Sequence, residues 1–394
     1  MPLYQSARTT PKLQSMRSIT DYPPPTLRCL SCNAQHAIDS PIWRCPCGGL
    51  LDVEMPPVFP LDQLTERPAS LWRYREALPL RPTTQAVSLG ESMTPLLPIS
   101  AGGRQVFLKI DHLLPTGSFK DRGAAVMLTK LREVGVTSAV EDSSGNAGAA
   151  IAAYAAAAGV SMSIYVPASA PPAKVAQIRM YGARLVSVPG SRELTTAAAL
   201  AEAQQSYYAS HVWNPFFLEG TKTAAFEIWE QLGRKVPALV VTPVGHGTML
   251  LGLFNGFRHL LRAGITARLP QIIGVQTANC APLAAAWSSK QQTLPEIVAG
   301  DTIADGIAIA RPPRWQQIVA AVAESSGQIT SVTDEAIRRA LGSWSARGIA
   351  VEPTAASALA FLDQWLATKN ASSAETVVVL LTGSALKTSA KISN

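Results

Sequence analysis

From about residue 104 onward, short apolar runs of β character alternate with longer stretches of helical periodicity. The strand-like runs fall at 106–110, 138–141, 161–166, 185–188, 239–242, 272–275 and 376–381. Helical stretches lie at 124–134, 147–158, 173–181, 193–206, 221–232, 249–262, 334–345 and 354–368. Parallel strands cannot be joined by a tight hairpin, and a helix supplies the crossover. The alternation therefore predicts an α/β fold with largely parallel sheets and right-handed crossovers. Parallel sheets are covered on both faces, and a chain that is 47% hydrophobic and 15% charged has the material for that. The same balance excludes a largely disordered chain. Such sheets bind ligands beyond the carboxyl ends of their strands, so the strand-to-helix turns are where chemistry belongs.

The rest of the 394 residues are organised differently. Residues 1–26 read as a tail ended by Pro23-Pro24-Pro25, and 27–55 hold four of the five cysteines. Residues 56–100 are Pro-rich and suit a long surface wrap. The 27 Gly and 29 Pro follow no period, which excludes collagen-like and repeat architectures. The longest apolar stretch, 147–160, is shorter than the roughly 20 residues a bilayer requires, so no membrane span is expected. The net charge of +7 is spread without basic runs, which argues for a solvated surface rather than a nucleic-acid partner. Residues 1–25 lack the apolar core of a signal peptide, so the cytoplasm is the default location. Basic residues with Ser and Thr before Asp21 leave a transit peptide open.

Four turns carry candidate chemistry. In Pro115-Thr116-Gly117-Ser118-Phe119-Lys120-Asp121-Arg122-Gly123, a lysine stands at a helix start, where the dipole disfavours a cation. Buried there, its amine would be nucleophilic and suited to a Schiff base. The plain alternative is a surface lysine paired with Asp121. In Asp142-Ser143-Ser144-Gly145-Asn146-Ala147-Gly148, hydroxyls and free helix N–H groups could hold a carboxylate, or simply cap the Ala-rich helix. In Thr242-Pro243-Val244-Gly245-His246-Gly247-Thr248, two glycines let the backbone wrap a phosphate. It is neither a Walker A loop nor a dinucleotide fingerprint, and a plain tight turn is the alternative. In Leu381-Thr382-Gly383-Ser384-Ala385-Leu386-Lys387, a hydroxyl at a strand end could face a ring nitrogen or cap a turn.

Taken together and in order, these motifs resemble the threonine synthases. More broadly, the chain resembles the fold-type II pyridoxal-5′-phosphate enzymes of the tryptophan synthase β family. The likeness covers about residues 88–390. It also rests on LGESMTPL (89–96), NPFFLEGTKTAAFEI (214–228) and EPTAASALA (352–360). It implies a two-lobed α/β enzyme with a Cys-containing leader, each lobe a mostly parallel twisted sheet flanked by helices. The large cofactor lobe would comprise 56–135 and 215–394, and the small substrate lobe 136–214. Lys120 would carry pyridoxal phosphate as a Schiff base and later shuttle protons. Asn146 would partner the cofactor's phenolic oxygen. Gly245, His246, Gly247 and Thr248 would cup its phosphate, and Thr382 would face its pyridine nitrogen. Ser143, Ser144, Ala147 and Thr94 would bind substrate. A hydroxyl does not hold the ring nitrogen protonated, which favours elimination and replacement over transamination.

Further details shape the reading of the substrate. The family's Asn-Ser pair followed by Asn-Pro-Tyr-Arg reads here His211-Val212-Trp213-Asn214-Pro215-Phe216-Phe217. An expected phosphate-binding Asn is thus His211, and an Arg is Phe217. The phenylalanine-aspartate usual after the small-lobe strand is absent from residues 189–193, and IADGIA (303–308) is closer to threonine dehydratases and ammonia-lyases. The leading expectation is conversion of O-phosphohomoserine to threonine and phosphate by a carbon-oxygen lyase. Alternatives are a dehydratase or ammonia-lyase, a cysteate synthase-like replacement on O-phosphoserine, and an inactive cofactor-binding paralogue. Lys174, Arg179, Arg184 and Arg192 are candidate cations for a substrate phosphate. The resemblance also implies a homodimer. Cys29, Cys32, Cys45 and Cys47 offer four thiolates for tetrahedral zinc. The second pair is C-x-C rather than C-x2-C, so a ribbon with free thiols stays open.

Overall fold

The computed structural model describes residues 23–101, 104–170, 172–291, 293–368 and 375–388. The expected tail lies, up to residue 22, outside the described residues. The leader forms β1 (Thr26–Cys29), β2 (Gln35–Ala37) and β3 (Leu51–Glu54). Then follow β4 (Leu96–Ala101), β5 (Arg104–Lys109), α1 (Lys120–Glu133), β6 (Ser138–Glu141), α2 (Asn146–Ala158), β7 (Ser161–Pro167) and α3 (Pro172–Met180). The middle of the chain supplies β8 (Arg184–Val188), α4 (Arg192–Glu202), β9 (Tyr207–Tyr208), α5 (Pro215–Thr221), α6 (Thr223–Gln231), β10 (Leu239–Pro243) and α7 (Thr248–Arg262). The remainder is β11 (Gln271–Thr277), α8 (Pro282–Ser289), α9 (Trp315–Glu324), β12 (Gln328–Val332), α10 (Asp334–Ser345), α11 (Pro353–Thr368) and β13 (Val377–Leu380). Among the described residues, no helix is long and apolar enough to cross a membrane.

Three sheets result. The leader sheet is antiparallel, in the order β2-β1-β3. A four-stranded sheet, β8-β7-β6-β9, is parallel throughout. The six-stranded sheet runs β12-β11-β10-β13-β5-β4, and only β4 is antiparallel. Pro98 sits on that edge strand, where a missing backbone donor breaks no inner ladder.

The large sheet shows why its strands read as continuous apolar runs. Val378 and Leu380 of β13 pack with α6 and α7 on one face, while Val377 and Val379 pack with α10 and α11 on the other. The small sheet shares its core with α1 and α2. The segment expected as a surface wrap is more than that. Its Phe59, Leu64 and Tyr74 are buried against Phe226 and Trp229 of α6. Isolated large side chains insert from an otherwise irregular backbone, and periodicity does not reveal such anchors.

Candidate active site

The site is built where strand ends and helix starts of both sheets converge. Lys120 is the first residue of α1. The loop before it turns at Gly117, whose φ is +84°, and is fastened to the end of β13. Phe119 N–H donates to the Thr382 carbonyl at 3.0 Å, and Ser118 bridges Gly383. Asp121 turns back to accept the Thr116 N–H at 2.6 Å and the Thr116 hydroxyl. It is therefore not the partner of Lys120. The Lys120 Nζ instead lies 3.3 Å from Thr248 Oγ1, over the rings of Phe119 and Phe217. Burial lowers the amine to about 8, opposed by Glu141 and Glu352.

The 142–148 turn joins β6 to α2 without a side-chain cap on that helix. A side chain at Gly148 would overlap the Ser143 carbonyl, so glycine lets the turn close onto α2. Asp142 anchors it by accepting the Tyr208 hydroxyl at 2.9 Å, the Thr196 hydroxyl at 2.6 Å and Arg192 at 3.2 Å. Asn146 Nδ2 donates to both carboxylate oxygens of Glu352 at 3.1 Å. Burial raises the Glu352 carboxyl above its ordinary range, against the pull of Asn146.

The 244–248 turn leads from β10 into α7. Gly247 has φ +80°, and α7 begins with no side-chain cap, leaving its first N–H groups open to an anion. A Cβ on Gly245 would lie 3.0 Å from Ile307 Cα, so the loop lies close against the 303–308 segment. Among the described residues His246 Nδ1 has no hydrogen-bond partner though buried, and burial holds the ring at about 3. The buried hydroxyls of Thr382 and Ser118 also lack partners among the described residues. Orphaned polar atoms are rare in folded proteins and mark a place that a ligand completes.

Two of the groups beside Lys120 carried no assigned role in the sequence reading. Glu141 ends β6 with a fully buried side chain, 2.8 Å from Nδ1 of His211. Burial pushes the Glu141 carboxyl well above the carboxylate range, with Asp142 adding to the shift. Burial also holds His211 well below its ordinary value, helped by Lys120 and His246. Burial thus disfavours the charged form of each group. The His211 ring lies 5.5 Å from that of His246 and 5.9 Å from that of Phe217. A carboxylic acid at the carboxyl end of an inner parallel strand was the available signal. Glu352 opens the 352–360 motif, and its partner Asn146 is 206 residues away in sequence.

Thr94 is placed in a different environment. Its hydroxyl donates to Asp111 at 2.7 Å and accepts from Arg122 at 3.0 Å, inside a buried network with Lys109 and Glu227. The candidate cations also separate. Arg184 pairs with Glu202 on an exposed face, and Arg179 is exposed on α3. The Lys174 side chain lies outside the described residues. Of the three whose side chains are described, only Arg192 is bonded to the 142–148 turn. Ser144 and Ala147 lie in that turn and in the first turn of α2. The four leader cysteines bring their sulfurs within 4.8 Å of one another.

Comparison with known proteins agrees with this geometry. Residues 87–383 match the family model described as pyridoxal-phosphate dependent enzyme. The chain is 34% identical to a threonine synthase of Methanocaldococcus jannaschii over 91% of this chain and 92% of the relative. It is 36% identical to a threonine synthase of Synechocystis sp. over 84% and 86% respectively. Among solved structures, a threonine deaminase of T.th. superposes with a TM-score of 0.64 at 27% identity, covering 74% of this chain and 92% of that one. A phosphorylated aldehyde would find here a half-buried amine, an uncapped helix N-terminus and partnerless hydroxyls. The residues present fit that cofactor. With the match spanning most of the chain and both of its parallel-stranded sheets, this protein belongs to the pyridoxal-phosphate dependent enzymes and is a lyase with an amino acid as its substrate.

Proposed function

We propose that the chain converts O-phosphohomoserine to threonine and phosphate. The observation that carries this reading is the Lys120 amine, held 3.3 Å from Thr248 Oγ1 and under the influence of the buried Glu141 and Glu352 carboxyls. Lys120 holds the cofactor covalently. The open start of α7, with Gly245, His246, Gly247 and Thr248, receives its phosphate. Thr382, whose hydroxyl is unpartnered among the described residues, would face the ring nitrogen, and Asn146, anchored on Glu352, would hold the ring edge. When bound, the cofactor supplies an electron sink for charge that develops beside the substrate's α carbon. Ser143, Ser144 and Ala147 receive the substrate carboxylate at the start of α2. The Lys120 amine, lowered to about 8, would take and return protons at the substrate α and β carbons. Arg192 is the cation placed to meet a substrate phosphate.

In this reading residues 136–214, which carry the four-stranded sheet, are the small substrate lobe, and 56–135 with 215–394 are the large one, with α1 packed against both. Closure of one on the other would exclude water from reactive intermediates. The same reading carries a homodimer in the cytoplasm.

A second reading is β-elimination from a hydroxy amino acid, releasing a keto acid and ammonia. It is favoured by the buried Glu141–His211 pair, where burial disfavours charge on either partner and so suits a neutral leaving group better than a dianion. One substrate panel separates the two readings. Purified enzyme is given phosphohomoserine, phosphoserine, threonine and serine, and phosphate, keto acid and new amino acids are measured. Phosphate and threonine from phosphohomoserine, both lost in Lys120→Ala, are expected. Keto acid from threonine with no phosphate release from either phosphorylated substrate would sink the first reading.

A further inference from the structure

We propose that Cys29, Cys32, Cys45 and Cys47 hold one structural zinc ion, and that this ion fixes the leader against the segment carrying His211. The sulfur geometry is the starting point. Cys29 Sγ lies 3.5 Å from Cys47 Sγ, and Cys32 Sγ lies 3.7 Å from Cys45 Sγ. A tetrahedral site with Zn–S bonds of about 2.3 Å places its sulfurs roughly 3.8 Å apart. A disulfide would require about 2.05 Å. Four thiolates in a tetrahedron select a soft ion over magnesium or calcium.

Both turns are shaped for this arrangement. In the first, Asn33 has φ +59°, and its N–H bonds the Cys29 carbonyl at 3.1 Å. The N–H groups of Ser31 and Cys32 point at Cys29 Sγ from 3.4 and 3.5 Å, as donors to a thiolate. In the second, Gly48 N–H donates to the Cys45 carbonyl at 2.8 Å with φ +87°. A Cβ on Gly49 would lie 2.7 Å from Cys29 Sγ. The two glycines let the tight C-x-C turn bring both of its sulfurs to the other pair. His36 Nε2, 3.4 Å from Cys45 Sγ, is a partner from outside the set of four.

The leader also needs a crosslink. Its strands have 4, 3 and 4 residues, too few to form a stable sheet unaided. With all four positions taken by cysteine there is no open coordination site, so the ion is structural rather than catalytic. Its effect reaches further through packing. Trp43, just before the second turn, meets Tyr208 at 4.9 Å and Trp213 at 5.7 Å between ring centroids. Those residues bracket His211, so the ribbon supports the chain that positions it.

The test begins with unmodified protein purified without added metal. Metal analysis is expected to give one zinc per chain. Cobalt exchanged for zinc should show the intense visible bands of a tetrahedral thiolate site. Cys32 and Cys47 are exposed, so the Cys32→Ser and Cys47→Ser double variant disturbs packing least. It should fall at least tenfold in zinc content and melt at lower temperature, while keeping its visible cofactor absorbance. Wild-type protein with less than a tenth of a zinc per chain, or with iron in its place, overturns the proposal. So does a double variant that retains full zinc.

Discussion

At the scale of single residues, Lys120 shows what local sequence leaves open. A lysine at a helix start beside an aspartate reads equally as a surface ion pair. The decision rests on Asp121, which turns back to Thr116 and leaves the amine near Thr248. Glu141 and Glu352 were hidden for a similar reason: a carboxyl's surroundings come from distant segments that no local pattern encodes. Thr94 lay in a quoted motif, yet its hydroxyl serves the Asp111–Arg122 network. A pH prediction follows from Lys120. Free amine, the form that captures the cofactor, grows about tenfold per pH unit below the pKa. Capture of pyridoxal phosphate by apoenzyme, followed by visible absorbance, should climb in that way up to about pH 8 and then level off. A rate still rising through pH 10 would show an ordinary lysine. The sign for stability is the same. Folding lowers this pKa, so the unfolded chain holds the proton longer, and the group adds stability as pH rises from about 8 toward the ordinary lysine range.

At the scale of elements, the seven strands expected from apolar runs all form, within two residues at each end. The strands that escaped notice are β4, β12, the two-residue β9 and the short ones of the leader. β12, Gln328–Val332, is an edge strand with polar residues, and β4 carries Pro98. Neither has the apolar run of an inner strand. Helix α1 starts four residues earlier than its apolar pattern because its first turn buries charge, with Arg122 bonded to Asp111 and Glu227. The crossing of α1 and α5 also lay beyond reach of periodicity. A Cβ on Gly220 would collide with the Arg122 carbonyl and come within 2.7 Å of Gly123 Cα. Backbone cannot yield there as a side chain could. Gly220→Ala should therefore destabilise the protein by about 2–3 kcal/mol, read as a lower urea midpoint. An unchanged midpoint would mean that the two helices can separate at little cost.

At the scale of the molecule, the joints between parts depend on a few polar residues. Arg314, 1% exposed, donates to the carbonyls of Val212 at 2.8 Å, Leu51 at 3.0 Å and Trp213 at 3.1 Å, and to Asp52 at 2.8 Å. It ties the leader, the segment after β9 and the start of α9 at one point. Arg314→Met would leave these acceptors unpaired, at a cost of roughly 3 kcal/mol. The expected outcome is limited proteolysis between residues 54 and 61 at protease levels that leave wild type intact. Equal resistance would show that apolar packing alone holds the leader. The two parallel-stranded sheets were legible because every crossover between their strands carries a helix; this joint was not, because one arginine gathers acceptors from across the chain.

The position of β13 bears on how the protein is made. Residues 377–380 lie in the middle of the large sheet, between β10 and β5, whose ladder partner begins some 270 residues earlier. A chain emerging from the ribosome can complete the small sheet, which is contiguous, long before this strand is synthesised. Until then the large sheet has an unfilled gap, and Thr382 has not been translated. A polypeptide interrupted before that point would thus have a lysine but no finished pocket around it, so an incomplete product would be inert rather than partly active.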